Sequence, residues 1–118
     1  MNIKTFSERT GLSAHTLRYY EKIGLLKNIQ RNSSGHRVYT KRDADWVGFI
    51  IRLKETAMPL ATILEYASLR EAGSETAQSR LELLEAHQTT LRQHIDLQVS
   101  HLSALESKIQ LYKDKIVT

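Results

Sequence analysis

The sequence predicts a mainly α-helical protein in two parts, a small winged helix-turn-helix domain followed by one long helix that forms a coiled coil with a second copy. Three observations predict it: two short helical segments that each end at a glycine, a turn-rich stretch followed by a strand-like alternation, and a final stretch, Glu75–Ile116, without Gly or Pro. We expect residues 1–73 to form the winged domain with two further helices, and residues 74–118 to form the dimerisation helix.

The first two predicted helices form the helix-turn-helix. The first helix covers about Lys4–Thr10, because Gly11 can take the left-handed backbone of a helix C-cap. Ser13 is a favourable N-cap for a second helix over Ala14–Ile23, which Gly24 ends. Two short helices joined by a tight turn that contains glycine are typical of this motif.

The segment that follows predicts a two-stranded wing and two more helices. Arg31–Gly35 has the composition of a turn, and Arg37–Tyr39 alternates as a strand does. Thr40–Asp43 has the spacing of a capping box, and Pro59 fits the first turn of a fourth helix that ends at Gly73. The apolar residues expected to face the core are Trp46, Phe49, Ile50 and Leu53 in the third helix and Leu60, Ile63, Leu64 and Ala67 in the fourth.

The long helix, which Ser74 can cap, carries an a/d heptad register broken only by two glutamines. The residues predicted to form the dimerisation seam are Leu81, Leu84, Gln88, Leu91, Ile95, Gln98, Leu102, Leu105, Ile109, Tyr112 and Ile116. At 1.5 Å per residue the helix is about 60 Å long, too long to be buried on so small a domain. We therefore predict a homodimer. The alternative is a solvated helix folded back on its own domain, and the heptads do not decide between parallel and antiparallel strands.

One face of the second helix collects polar side chains at positions i, i+3, i+4 and i+7. They are His15, Arg18, Tyr19 and Lys22. Leu17 and Tyr20 fall towards the other side, where they can pack on the first helix. The second helix of a helix-turn-helix ordinarily enters the major groove, where Arg can pair with guanine or a phosphate. The wing continues this pattern with Arg31 and Arg37.

The charge distribution supports a polyanionic partner for the first half of the chain. Residues 1–54 contain eleven Lys/Arg and four Asp/Glu, a net charge of +7, whereas the remainder contains six and nine, a net charge of −3. A basic half suggests nucleic acid, although charge alone does not separate DNA from RNA or an anionic membrane.

Several function classes find no support in the sequence. The chain has no cysteine, which excludes disulfides and thiolate metal or redox chemistry. No nucleophile–base pairing, phosphate-binding glycine loop or paired carboxylates stand out, so we expect neither an enzyme nor a cofactor. No apolar run approaches a membrane span and the first residues lack a signal peptide, so we expect a cytoplasmic protein.

Five short motifs resemble the MerR family of bacterial transcription regulators. They are Gly11-Leu-Ser13, Thr16-Leu-Arg-Tyr-Tyr-Glu21, Gly24-Leu-Leu26, Gly35-His-Arg-Val-Tyr39 and Asp43. The resemblance implies a homodimer with an antiparallel coiled coil. It also implies promoter DNA whose −35 and −10 elements are spaced too far apart, and distortion of that DNA so that RNA polymerase engages both.

The resemblance also assigns roles to particular residues. It implies that Arg18 and Tyr19 are contacts of the recognition helix, Arg37 and Tyr39 contacts of the wing, and Lys54 a phosphate contact of a second wing. Together with the exposed face of the second helix, the predicted DNA-binding residues are His15, Thr16, Arg18, Tyr19, Lys22, Arg31, His36, Arg37, Tyr39 and Lys54.

The segments Arg31-Asn-Ser-Ser-Gly35 and Leu53-Lys-Glu-Thr-Ala-Met58 most resemble the aldehyde- and electrophile-responsive branch of the family, but the chain departs from the pattern of that branch. Arg52 occupies the place where that branch often carries a reactive cysteine. His36 replaces a more usual aromatic or aliphatic residue of the wing, and Asn28 replaces a common proline. Sensing by thiolate alkylation is therefore not available, and the small-molecule effector stays open.

Other interpretations remain open from the sequence. The same winged module suits a DNA-architectural or recombination-accessory protein, and a basic domain on a coiled coil suits an adaptor for a membrane or an acidic protein. Trp46 is expected in the core, with a ligand pocket as the alternative. His87, His94 and His101 repeat every seven residues beside the seam; we expect them to be solvated, and a cross-chain metal site or a pH response is the alternative.

Overall fold

The computed structural model describes residues 1–115 and confirms the mainly helical fold. Five helices, α1 to α5, span Ile3–Thr10, Ala14–Ile23, Lys41–Glu55, Leu60–Glu71 and Ala77–Lys113. Strands β1 and β2 span Gln30–Arg31 and Arg37–Val38, and a 3₁₀ turn at Ser74–Thr76 precedes α5. The chain divides into two compact units, one of residues 1–80 and one that begins at residue 81. Across residues 1–115, no helix combines the length and the apolar content that a bilayer span requires.

Side-chain caps fix the ends of the first two helices. Asn2 accepts a hydrogen bond from the Thr5 amide at 2.8 Å, and Ser13 accepts one from the Thr16 amide at 3.1 Å. Gly11 and Gly24 end α1 and α2 with φ values of 77° and 91°, a region that costs glycine no steric strain. Each side-chain cap stabilises its helix by about 1 kcal/mol. The predicted helix-turn-helix is therefore set by local interactions.

The third helix begins with a side-chain cap, whereas the fourth begins at a proline without one. Thr40 and Asp43 form the predicted capping box, with amide-to-side-chain distances of 3.1 Å and 2.9 Å. Pro59 is the N-cap of α4 and lies just outside the first turn in which it was predicted. Ser74 does not cap the long helix, because it lies within the 3₁₀ turn that Gly73 opens at a φ of 94°.

The core lies entirely in the first unit, and no described residue of α5 is buried. Its buried side chains are Phe6, Leu17, Tyr20, Leu25, Leu26, Tyr39, Trp46, Val47, Ile50, Leu53, Met58, Ile63 and Ala67. Two predictions for the core are corrected. Leu60 is 44% exposed, because it is the first residue of α4 and lies beyond the packed face, and Val47 is fully buried although it was not predicted. Phe49 and Leu64 are half-buried.

Asn28 links the segment before the wing to the end of α4. Its backbone φ is 59°, a left-handed value that asparagine tolerates and proline cannot adopt. Its side-chain amide donates to Glu71 at 2.7 Å. The left-handed backbone and the bond to Glu71 therefore explain why asparagine stands here in place of the proline that is common in the family.

Candidate nucleic-acid interface

The recognition helix α2 is oriented by its two buried residues. Leu17 is fully buried and Tyr20 is 3% exposed, so the opposite face of the helix points to solvent. The side chains on that face are His15, Arg18, Tyr19 and Lys22, and all four are exposed as predicted. Thr16 is half-buried, and its hydroxyl accepts a hydrogen bond from the Ser13 hydroxyl at 3.0 Å. Thr16 therefore serves the helix start in addition to any role in binding.

The wing is a two-stranded antiparallel hairpin in which Gln30 pairs with Val38 and Arg31 with Arg37. Asn32 organises its turn, because its side-chain oxygen accepts from the amides of Ser34 at 3.0 Å and His36 at 3.1 Å. The Arg31 guanidinium donates to the Gly35 carbonyl at 2.7 Å and closes the same turn. The Asn32 amide also donates to the His36 carbonyl at 2.9 Å, so the exposed His36 lies opposite Asn32 at the end of the turn.

Recognition helix and wing meet at a basic cleft of about 300 Å³. The residues that line it are Asn2, Ile3, Lys4, Arg18, Arg31, Gly35, His36 and Arg37. Four of the predicted DNA-binding residues are thereby brought together, and no acidic side chain lines the cleft. His15, Thr16, Tyr19, Lys22 and Lys54 do not line it. Such a concentration of positive charge favours a phosphate group of a nucleic acid backbone.

Arg37 is fixed at the edge of the basic cleft by an ion pair with Glu21. Its Nε lies 2.6 Å from Glu21 Oε2, and both side chains are less than one-third exposed. The contact joins β2 to the recognition helix. Because Glu21 engages Nε, the two terminal amino groups of the guanidinium keep their donors for an anion in the cleft.

Tyr39, which was predicted to contact DNA, is buried in this structure. Tyr39 is 1% exposed, and its ring stacks on Phe6 with centroids 4.2 Å apart and an interplanar angle of 3°. Its hydroxyl is buried and has no hydrogen-bond partner within the described residues. Burial raises the pKa of this phenol, and the nearby Glu21 carboxylate raises it further. Tyr39 is therefore a core residue, and its contact with Phe6 anchors the end of the wing to α1.

Lys54 is exposed, but its ammonium is already engaged with the recognition helix. Nζ donates to the Tyr20 hydroxyl at 3.0 Å and lies 5.3 Å from the centre of that ring. A lysine has three N–H donors, so a phosphate contact remains open to it. The interaction ties the end of α3 to the back of α2.

Sequence reasoning missed three residues of this interface. Lys4 lines the basic cleft from the start of α1, Glu21 positions Arg37, and Asn32 shapes the wing turn. The signals present were the basic charge of the first half and the turn composition around Asn32. Neither signal shows that α1 approaches the wing, because that contact depends on the tertiary fold.

The predicted dimerisation seam is the second candidate site. Leu81, Ile95, Leu102, Leu105, Ile109 and Tyr112 are each between 45% and 57% exposed. Leu84 and Leu91 are half-buried, Gln88 and Gln98 are exposed, and Ile116 lies outside the described residues. Leu97, Val99 and Leu111 are also exposed at other heptad positions, so the apolar surface is wider than the predicted a/d stripe. So many exposed apolar side chains along one helix mark an interaction site.

Comparison with known proteins identifies the architecture. The family model described as MerR HTH family regulatory protein matches residues 1–69, more than half of the chain. The chain belongs to the MerR family. It is therefore a DNA-binding transcription regulator and not an enzyme, as the sequence predicted.

Individual relatives support the assignment along almost the whole chain. An uncharacterised HTH-type transcriptional regulator of Haemophilus influenzae is 36% identical over 107 residues, which cover 91% of this chain and 79% of that protein. The crystal structure of a MerR family regulator from Listeria monocytogenes is 36% identical and superposes with a TM-score of 0.90, covering 96% of this chain and 86% of that one.

The crystal structure of a third relative contains promoter DNA. HiNmlR, described as a MerR family regulator lacking the sensor domain and bound to promoter DNA, is 34% identical, with a TM-score of 0.86. The match covers 96% of this chain and 90% of the HiNmlR chain. A MerR regulator of this architecture therefore binds promoter DNA.

Proposed function

We propose that this MerR regulator binds one promoter as a homodimer and places the recognition helix and wing of each copy on the DNA. The basic cleft supports this proposal, because its lining contains several basic side chains and no acidic one, and the Glu21 carboxylate at its edge engages only Nε of Arg37. The basic residues of the lining are Lys4, Arg18, Arg31, His36 and Arg37. Arg18 would reach a base edge or a phosphate from α2. The wing cations would hold the backbone beside it.

Dimerisation would occur through α5, as an antiparallel coiled coil. The support is the exposed apolar seam, since a single copy leaves six seam residues about half-exposed to water. Burial of such surface stabilises association by roughly 25 cal/mol per Å². Two copies of a DNA-binding domain on one coil would read two half-sites.

Regulation would follow from distortion of the promoter. The proposed target is a promoter whose −35 and −10 elements are too far apart, which the bound dimer bends and untwists so that RNA polymerase engages both elements. Deformation of a short site costs on the order of 1–6 kcal/mol, which extra contacts by two copies can offset. We expect the protein to act in the cytoplasm, where the chromosome lies.

Transcription reconstituted from purified regulator, polymerase and promoter tests this function. We expect output to depend on the regulator with the natural spacer, and to become independent of it when the spacer is shortened by one or two base pairs. The alternative, a DNA-architectural or recombination-accessory protein, would bend scattered sites without any effect on transcription. Equal output with and without the regulator on the natural promoter would exclude the proposed function.

A further inference from the structure

A second cationic surface lies on α3 and α4, apart from the basic cleft. A cavity of about 350 Å³ is lined there by Arg42, Asp45, Trp46, Phe49, Tyr66, Arg70 and Arg80. None of these residues lines the basic cleft. We call this surface the aromatic–arginine pocket.

Three rings form the floor of the aromatic–arginine pocket. Trp46 lies 5.8 Å from Tyr66 and 6.4 Å from Phe49 between ring centroids, and Phe49 lies 5.7 Å from Tyr66. Trp46 is 6% exposed, and its indole N–H donates to the Leu25 carbonyl at 2.7 Å, which fixes the ring. Phe49 and Tyr66 remain half-exposed and can accept a further flat group.

The guanidinium of Arg70 covers the Trp46 ring at 4.4 Å from its centroid. Among residues 1–115, no carboxylate lies within 4.0 Å of the guanidinium groups of Arg42, Arg70 or Arg80. Burial lowers the pKa of Arg70, and the like charge of Arg42 lowers it further. The positive charge at this pocket is thus not neutralised by an ion pair.

The nearby acids are engaged or exposed. Asp43 accepts from the Thr40 amide, and Glu71 accepts from Asn28. Asp45 lines the pocket but is exposed, and it is the one acid among the lining residues. Arg80 donates to Thr76 and to the Gly73 carbonyl, at 3.0 Å and 3.2 Å. These two bonds leave one of its terminal amino groups available.

We propose that the aromatic–arginine pocket binds a small, flat aromatic anion such as an aryl carboxylate. The ring would stack on the half-exposed Phe49 and Tyr66, and the anionic group would pair with the guanidinium of Arg70 and with Arg42 or Arg80. The site is an open depression, and its volume is at the low end of the range for small-molecule sites. Phosphate alone would leave the aromatic floor unused. The proposal does not depend on DNA binding, because the pocket and the basic cleft share no residue.

Trp46 is the single tryptophan of the chain, so its fluorescence reports on the pocket. The experiment titrates the full chain with sodium benzoate at constant ionic strength. Acetate supplies the anion without the ring, and benzyl alcohol supplies the ring without the charge. We expect a saturable change with benzoate and no saturation with either control.

Variants separate the pocket from a nonspecific effect. Arg70→Gln should weaken benzoate binding roughly tenfold, which corresponds to about 1.4 kcal/mol. Arg42→Gln lies at an exposed position in the first turn of α3 and should also weaken benzoate binding. This variant tests the proposal if Arg70→Gln does not fold. Arg92→Gln removes a matched charge from α5 and should leave binding unchanged.

Three outcomes would overturn the proposal. They are the absence of a saturable change with benzoate, an equal response to acetate or benzyl alcohol, and unaltered benzoate binding by both Arg70→Gln and Arg42→Gln. Inorganic phosphate is titrated as a further control. An equal response to phosphate would be a fourth contradicting outcome, because it would show a site for any anion and not for an aromatic one.

Discussion

The Arg37 guanidinium is held by Glu21, with Nε and Oε2 2.6 Å apart, across the junction of wing and recognition helix. An acid at the edge of a DNA-binding surface would at first sight oppose binding. Because the carboxylate engages only Nε, it fixes the guanidinium while its terminal amino groups stay available to the basic cleft. Glu21 is therefore a positioning residue for Arg37.

Replacement of this carboxylate should cost stability. Glu21→Ala leaves Arg37 without its acceptor, and we expect the free energy of unfolding to fall by about 1–2 kcal/mol, between values for exposed and for buried pairs. Glu21→Gln retains an acceptor oxygen and should cost less than half of that. Chemical denaturation of Glu21→Ala, Arg37→Ala and the double variant measures the coupling. Additive effects of the two substitutions would show that the ion pair contributes nothing.

The basic cleft gives distinct expectations for two arginines. Arg18→Ala should weaken specific binding by roughly 1–3 kcal/mol, because a base or phosphate contact from α2 is lost. Arg37→Ala should weaken binding to all sequences and reduce the salt slope by about one charge. Fluorescence anisotropy at several salt concentrations measures both effects. Arg92→Ala, outside the winged domain, is the control and should bind as the wild type does.

Dimerisation through the α5 seam makes a prediction about assembly. Leu102→Asp or Ile95→Asp places a charge in the seam and should abolish both the dimer and operator binding. Ser100→Asp, on the polar face of the same helix, should change neither. Analytical ultracentrifugation at micromolar concentration measures the oligomeric state, and the thermal midpoint of the wild type should rise with concentration. A monomeric wild type would contradict the account.

Tyr39 should respond to alkaline pH through its raised pKa. The folded state holds the phenol proton to a higher pH than the unfolded state, so stability should fall as pH rises above the ordinary value of 10. Tyr39→Phe removes an unpaired buried hydroxyl and should leave unfolding at pH 7 unchanged, or raise its free energy by up to about 1 kcal/mol. Above pH 10 the Tyr39→Phe variant should lose less stability than the wild type does. Thermal denaturation at a series of pH values measures this difference. A marked destabilisation at pH 7 would show that the buried hydroxyl has a hydrogen-bond partner and would contradict this prediction.

The absence of cysteine predicts indifference to thiol-directed electrophiles. The thiolate is the nucleophile in such sensing, and the guanidinium of Arg52 stays protonated at physiological pH. An alkylator that spares amines should leave promoter binding and transcription unchanged. The Arg52→Cys variant is the positive control for the reagent, and mass spectrometry should detect its adduct. A transcriptional response of the wild-type protein would require another reactive group.

Local signals explain why much of the fold could be predicted from the sequence. Gly11, Ser13 and Gly24 act on the backbone within a few residues, and the Thr40 capping box does the same for α3. The heptads of α5 are likewise a regular local pattern. Family resemblance implied the roles of Arg18 and Arg37, and both residues line the basic cleft.

Contacts between distant segments could not be predicted in this way. Tyr39 directly follows β2, and the environment of its side chain depends on Phe6, which lies 33 positions earlier in the sequence and stacks on it. Lys4 joins the basic cleft only because α1 lies beside the wing. Arg70 reaches Trp46 through the packing of α4 on α3. Periodicity identifies a buried face, but it does not identify the residue on the other side.

Equilibrium binding to a promoter duplex tests the central claim most directly. Protection mapping of the DNA upstream of the protein's own gene would first locate the binding site. The purified protein would then be titrated at physiological salt against a duplex that carries this site, and against a scrambled duplex of the same length. We predict that one dimer binds the promoter duplex at least about 10³-fold more tightly than the scrambled one. Equal affinity for the two duplexes, or binding as a monomer, would contradict the account.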